Sequence, residues 1–313
     1  MTQPRIATFA RLANGNLVPK RIIEGQETKI SRTIHEMDYD AVHDEIIVTN
    51  PQAGAILTFR GDAEGNVPPA RIIQGPKTKL IFPHAVSVDP VNNELIAADP
   101  GRKSILVFKR DAVGDVSPVR ELTPKAEFFW IVGTAVDAER DLLVVALRYK
   151  VGGQGALFIF NRTDQGVAEP RAVITGPKTN ILSPWQVETH GGKIFAALAN
   201  NVYKAYYEGV DQRRGVGKNY EISSPWRTDV LGFIGIWDIT DNGDVAPKAV
   251  IKGPLSELIH PGGIALNVRE GEIYASDSVR NAVYTFLVPE LLKSEDPYRR
   301  VRPPDETTSG DKP

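Results

Sequence analysis

Three histidines each stand next to the start of an apolar, strand-like run of residues. His35 precedes EMDYDAV, His84 precedes AVSVD, and His260 precedes PGGIALN, two residues earlier than the equivalent position. Three imidazoles with an open fourth position are typical of catalytic zinc, whereas oxygen ligands from neighbouring side chains would suit calcium. The pattern therefore indicates His35, His84 and His260 as candidate ligands of a zinc or calcium ion.

A second set of residues combines aromatic rings with arginines. Trp130 and Trp185 begin two further runs, and an insertion at about 202–232 holds four tyrosines, a tryptophan and five Lys or Arg. Such residues are enriched at protein interfaces and at sites that stack on ligands. The predicted binding residues are Trp130, Arg148, Trp185, Tyr206, Tyr207, Arg213, Arg214 and Trp226.

An internal repeat would bring these distant residues together. Five glycines each lie between an apolar run that contains an aromatic residue and a second run that follows a proline, as in LTFRGDAEGNVPPARII. The glycines are separated by 50, 49, 52 and 77 residues, and the last interval includes the insertion. Glycine between two apolar runs indicates a β-hairpin. The glycines are Gly15, Gly65, Gly114, Gly166 and Gly243.

The other half of each repeat is a second pair of strands. AVSVDPVNNELIAAD reads as a strand, a turn and a strand, and the second strand of each pair is apolar almost throughout, which is typical of burial on both faces. Each repeat thus predicts four antiparallel strands, here called a to d. Tandem four-stranded units predict an all-β protein, a single β-propeller.

The strand count favours five blades, with six as the alternative. Four complete units are followed by strands a, b and c, and the N-terminus supplies one c-like and one d-like strand. N- and C-terminal strands would together close the ring, since closure leaves no open sheet edge. The propeller should span 1–290, with the insertion in a b–c loop, and 291–313 should be a polar, disordered tail.

The crossing from strand d to the next strand a follows a repeated pattern. In RIIQGPKTKLIFPHAVSVD, Gly75 supplies the turn and Thr78 offers a hydroxyl to the backbone of the loop. These crossings share one face of the ring with the b–c loops. Four strands b end at this face with a polar residue: Asn50, Asp99, Asn200 and Asp277. We expect those four side chains to be turn residues, and the histidines and tryptophans to lie around the channel mouth on this face.

Composition excludes several classes of function. The net charge is −2, which gives no general attraction to nucleic acid, and no apolar run is long enough to span a membrane. There are no cysteines, so thiol catalysis and thiolate metal sites are excluded. Location stays open: periplasmic or secreted if Met1 replaces a removed signal peptide, and otherwise cytoplasmic.

The unit PHAVSVD…NELIAAD…SILVF resembles the NHL-type propeller repeat, over about residues 7–287. This resemblance implies a propeller, but propellers of this type include binding proteins, scaffolds, lactonases and lyases. We therefore expect a non-catalytic propeller that binds a partner protein or ligand on the crossing-loop face. The alternatives are a metal-dependent lyase or lactonase with a histidine-lined site, and a structural subunit that forms a homo-oligomer through its N-terminal strand.

Overall fold

The protein is an all-β propeller with five blades, as the strand count predicted. The structure is a computed structural model, and it describes residues 4–32, 34–128, 130–148, 155–199 and 232–292. Apart from short 3-10 turns, its described helical segment is one turn, α1 (Pro289–Leu292). Within these ranges no helix has the length and apolar character needed to cross a membrane.

Each blade is an antiparallel sheet in which consecutive strands are neighbours. Blade 1 comprises β3 (Met37–Asp40), β4 (Glu45–Asn50), β5 (Ala55–Arg60) and β6 (Arg71–Gln74). Blade 2 comprises β7 (Ala85–Asp89), β8 (Glu94–Asp99), β9 (Ser104–Lys109) and β10 (Arg120–Pro124). Blade 3 comprises β11 (Trp130–Asp137), β12 (Leu142–Arg148), β13 (Gly155–Asn161) and β15 (Ala172–Ile174). Blade 4 comprises β16 (Pro184–His190), β17 (Lys193–Leu198), β18 (Phe233–Asp238) and β19 (Ala249–Ile251).

The fifth blade and the N-terminal strands complete the described sheets. Blade 5 comprises β20 (Pro261–Asn267), β21 (Glu272–Asp277) and β22 (Ala282–Leu287). The N-terminal hairpin pairs β1 (Arg5–Thr8) with β2 (Arg21–Glu24) in antiparallel register. The two regions meet, because Arg11 Nη1 donates to Glu272 Oε1 at 2.5 Å.

The core lies between the blades, and in blades 1 to 4 the second and third strands are almost wholly buried. All six residues of β8, ELIAAD, are buried, as the apolar pattern predicted. Ile47, Ile56 and Ile73 of blade 1 form one apolar cluster with Val86 and Leu95 of blade 2. Similar clusters join blades 2 and 3, blades 3 and 4, and blades 4 and 5, so each of blades 1 to 4 buries apolar side chains against the next blade.

A backbone connection that the sequence did not predict joins neighbouring blades. In blades 1 to 4, the glycine of the hairpin between strands c and d forms a parallel bridge with the preceding d strand of the chain, as Gly65 does with Ile23 of β2 and Gly114 with Ile73 of β6. In blade 3 this contact extends into a short strand, β14 (Gly166–Ala168), which pairs with β10. These bridges fix the spacing of the blades around the ring.

Candidate functional site

The crossing loops hold the first residues of each strand a in place. Gly75 has φ 133°, a conformation that favours glycine, and begins the 3-10 turn Pro76–Thr78. Thr78 Oγ1 donates to Gly75 O at 2.6 Å and accepts from Leu80 N at 3.2 Å. The predicted role of the hydroxyl is confirmed in all four crossings of this type, the others being Thr28–Gly25, Thr179–Gly176 and Ser256–Gly253.

Three polar residues that end a strand b are turn residues, as predicted: Asn50, Asp99 and Asp277. The fourth predicted turn residue, Asn200, lies outside the described residues. Asp99 is fully buried and accepts hydrogen bonds from Ile81 N at 2.6 Å and Phe82 N at 3.0 Å. Asp277 accepts from His260 N at 2.6 Å. These bonds fix the backbone of the crossing loops and so position the aromatic and histidine rings at the start of the following strands.

Six rings, contributed by all five blades, form a continuous group on the crossing-loop face. His35 stacks on His84 with centroids 4.2 Å apart, and His84 also contacts the rings of Trp130 at 5.9 Å and Trp185 at 6.1 Å. Trp185 lies 5.9 Å from His260. We call this group the ring cluster: His35, Phe82, His84, Trp130, Trp185 and His260.

Arg148 places one fixed cation beside the ring cluster. Its guanidinium carbon lies 4.3 Å from the Trp185 ring centroid, within the range of a cation–π contact. Nε and Nη2 both donate to Pro184 O, at 3.0 and 2.9 Å. The backbone carbonyl therefore orients the guanidinium over the indole.

Burial lowers the pKa values of all three histidines of the cluster below their usual range. His84 is only 3% exposed, and burial lowers its pKa to about 3, with smaller contributions from His35 and Arg148. Burial also lowers the pKa of His35 and of His260. Two buried polar atoms in the cluster, His84 Nδ1 and Trp185 Nε1, make no hydrogen bond.

The geometry of the histidines does not match a shared metal site. His35 and His84 are stacked with an angle of 20° between their planes. A single ion cannot lie in the plane of both rings, which is where imidazole nitrogens bind metals. Within the described ranges no group of three or more His, Cys, Asp or Glu is placed to hold a metal ion. The zinc or calcium site stays a prediction without geometric support.

Part of the predicted binding set cannot be placed. The structure brings Trp130, Arg148 and Trp185 together, as the repeat alignment implied. Strands β17 and β18 pair directly on either side of the segment that contains the insertion. The remaining predicted residues lie outside the described residues: Tyr206, Tyr207, Arg213, Arg214 and Trp226.

Sequence reasoning missed a group of carboxylates inside the channel. Asp38 and Glu188 line a cavity of about 60 Å³ near the far ends of the first strands. Burial raises the pKa of Asp38 to about 6, and also raises the pKa values of Glu36 and Glu188 well above their usual range. The available signal was an acidic residue inside a strand a, Asp38 in MDYD and Glu188 in PWQVETH.

Comparisons with known proteins assign no family. No family model and no curated protein matches the chain, so the NHL likeness stays a resemblance. Similar solved structures include the WD40 domain of Toxoplasma gondii coronin, with a TM-score of 0.49, 11% identity, and coverage of 85% of this chain and 57% of that one.

Two further structures are similar at the same level. Kuenenia stuttgartiensis hydrazine synthase has a TM-score of 0.49 and 10% identity over 84% of this chain and 80% of that one. Saccharomyces cerevisiae Sqt1 has a TM-score of 0.47 and 11% identity over 88% of this chain and 65% of that one. Likenesses this distant carry no argument about function, so the chain is described by its own strands as a β-propeller.

Proposed function

We propose that this protein is a non-catalytic propeller that binds a partner protein through its crossing-loop face. The observation that carries the proposal is the ring cluster, in which all five blades present a ring at one mouth of the channel. Aromatic residues and arginine supply most of the binding energy at many protein interfaces. Their convergence from five separate repeats favours a binding surface over the packing of any one blade.

The chemistry of the cluster suits recognition better than proton transfer. A general base works best when its pKa lies near the working pH, and the pKa of His84 is about 3. The neutral rings offer apolar faces, while Arg148 supplies one cation. The fitting ligand is an aromatic or other apolar side chain of the partner, next to a carbonyl or carboxylate oxygen.

Selection from a random peptide library tests this function. Peptides that bind the wild-type protein should bind a Trp185→Ala variant at least about tenfold more weakly, because removing a central aromatic anchor costs about 2 kcal/mol or more. The matched control is Phe9→Ala, since Phe9 is 48% exposed in the loop of the N-terminal hairpin. Affinities would be measured by fluorescence anisotropy, and folding by circular dichroism.

The outcomes distinguish binding at the ring cluster from non-specific binding to any exposed aromatic residue. Equal affinity of the wild type and Trp185→Ala for every selected peptide would refute it, as would equal losses in Trp185→Ala and Phe9→Ala. Deleting residues 204–230 extends the test to the insertion: the thermal melt should stay near that of the wild type, while peptide affinity falls.

A further inference from the structure

The outer edge of blade 5 differs from the same edge in the other blades. In blades 1 to 4 strand c pairs with a strand d, but none of the described strands pairs with the outer edge of β22. Val283 of β22 is 67% exposed, whereas Ile56, at the same register position in blade 1, is 1% exposed. The N-terminal d-like strand β2 pairs with β1 instead. An open apolar edge of this kind takes up a further strand readily.

The residues after α1 repeat the spacing of the missing strand. In every strand d a proline stands two residues before the first strand residue, as Pro69 does before Arg71 and Pro118 before Arg120. Pro297 stands two residues before Arg299 in the same way. The proline follows the last residue of strand c by 9 positions in blades 1 to 4, and Pro297 follows Leu287 by 10.

The charge pattern supports the same alignment. Arg120 and Arg162 both bind Glu94, which is the first residue of strand b in blade 2. Glu272 holds that position in blade 5, and Arg11 corresponds to Arg162, since each lies four residues before its hairpin glycine. Arg299 corresponds to Arg120, the other arginine of the motif.

Glu272 has the capacity for this second arginine. Its Oε1 accepts from Arg11, and its Oε2 accepts from Tyr274 Oη at 2.6 Å and Asn267 Nδ2 at 3.1 Å. A carboxylate has about four acceptor positions in all. Glu94 likewise accepts from both of its arginines at once.

We propose that residues 299–302 form the fourth strand of blade 5, antiparallel to β22. In the register of blade 1, where Ile56 lies opposite Ile73, Val301 lies opposite Val283 and Arg299 lies opposite Thr285. The occupant of the open edge is thus the C-terminal segment of the same chain. It covers a surface that would otherwise be available to strands of other molecules.

A disulfide between β22 and the segment tests the register. The chain has no cysteines, so Val283→Cys with Val301→Cys introduces a single pair of thiols. Opposite residues on one face of a sheet bring their Cβ atoms close enough to bond. The matched control is Val283→Cys with Arg300→Cys, because successive side chains point to opposite faces. Mass spectrometry of unreduced peptides should find the 283–301 link within monomers, and little of the 283–300 link.

Other cross-linking outcomes would overturn the proposal. Equal yields from both pairs would mean that the segment has no fixed register, and no link from either pair would place it away from β22. Links found in covalent dimers would identify a second copy of the chain as the occupant.

Hydrogen exchange on the full chain provides a measurement without thiols. Outward-facing amides of β22 should exchange slowly in the wild type and at least tenfold faster in Val301→Asp, where a charge replaces the buried residue of the strand. Thr308→Asp is the control, since Thr308 lies beyond the proposed strand, and it should not change these rates. Unprotected amides in the wild type would refute the fourth strand.

Discussion

At the scale of single residues, the carboxylates inside the channel should control how stability depends on pH. Burial raises the pKa of Asp38 to about 6. The pKa of the neighbouring Glu188 is also raised, by burial and by the negative charge of Asp38. A raised pKa in the folded state means that folding takes up protons, so this contribution is lost as pH rises from about 4 through 6. The channel carboxylates therefore destabilise the fold at neutral and alkaline pH.

Replacing Glu188 with Gln should accordingly stabilise the protein, and more so at pH 8 than at pH 5. Because Glu188 holds its proton more strongly in the folded than in the unfolded protein, we expect the free energy of unfolding to rise more at pH 8 than at pH 5. Urea denaturation at the two pH values measures this difference. Glu64→Gln removes an exposed carboxylate as a control. A gain of equal size at pH 5 and pH 8, or a loss at pH 8, would contradict this account.

The ring cluster shows which properties of single residues the sequence could predict and which it could not. Repeat alignment placed His35, His84, Trp130, Trp185 and His260 on one face, because each stands at the start of a strand a. It could not reveal that His35 and His84 stack, or that burial lowers the pKa of His84 to about 3. Both properties depend on the angle and depth at which neighbouring blades meet, which no single repeat encodes.

At the scale of the elements, the crossing loops connect neighbouring blades and position the first residues of each strand a, which form the ring cluster. Thr78 is fully buried and bonds both Gly75 O and Leu80 N. Thr78→Val keeps the volume but leaves Leu80 N without a partner, while Gly75 O keeps the bond from Thr78 N. We therefore expect a loss of about 1 to 3 kcal/mol in the free energy of unfolding. Chemical denaturation measures it.

Thr78→Ser is the matched control for this loop. It keeps the hydroxyl, and Ser256 already makes the same bond to Gly253 in the crossing before blade 5. We expect Thr78→Ser to lose less than half as much stability as Thr78→Val. Equal losses would contradict this expectation, because they would show that the methyl group contributes as much as the hydrogen bond.

Elements were the level at which the sequence was most informative. The glycine turns, the hydroxyls of the crossings and the apolar b strands repeat along the chain, so they could be read without a structure. The parallel bridge from Gly114 to Ile73 could not be predicted in this way, because it is a backbone contact between two blades and requires no particular side chain. The same holds for the arginines that bind Glu94 from two different blades.

At the scale of the whole molecule, the ends of the chain must be held together for the propeller to act as one unit. The N-terminal hairpin packs Ile6 and Ile23 against blade 1, and Arg11 binds Glu272 of blade 5. This ion pair therefore bridges two regions that are remote in sequence. The strand count predicted that the ends would meet, but it could not predict which side chains would join them.

Removing the bridge should loosen the N-terminal hairpin before the rest of the ring. We expect Arg11→Ala to speed amide exchange in β1 and β2 while leaving β7 to β9 unchanged, because these strands pack in an apolar cluster between blades 1 and 2 that does not include Arg11. A double-mutant cycle of Arg11→Ala with Glu272→Ala should give a coupling of about 1 kcal/mol, since Arg11 is 41% exposed and solvent weakens the pair. Arg60→Ala, which breaks the local pair with Asp62, should leave exchange in β1 and β2 unchanged. Additive losses from Arg11→Ala and Glu272→Ala would show that the two ends are held together by packing alone.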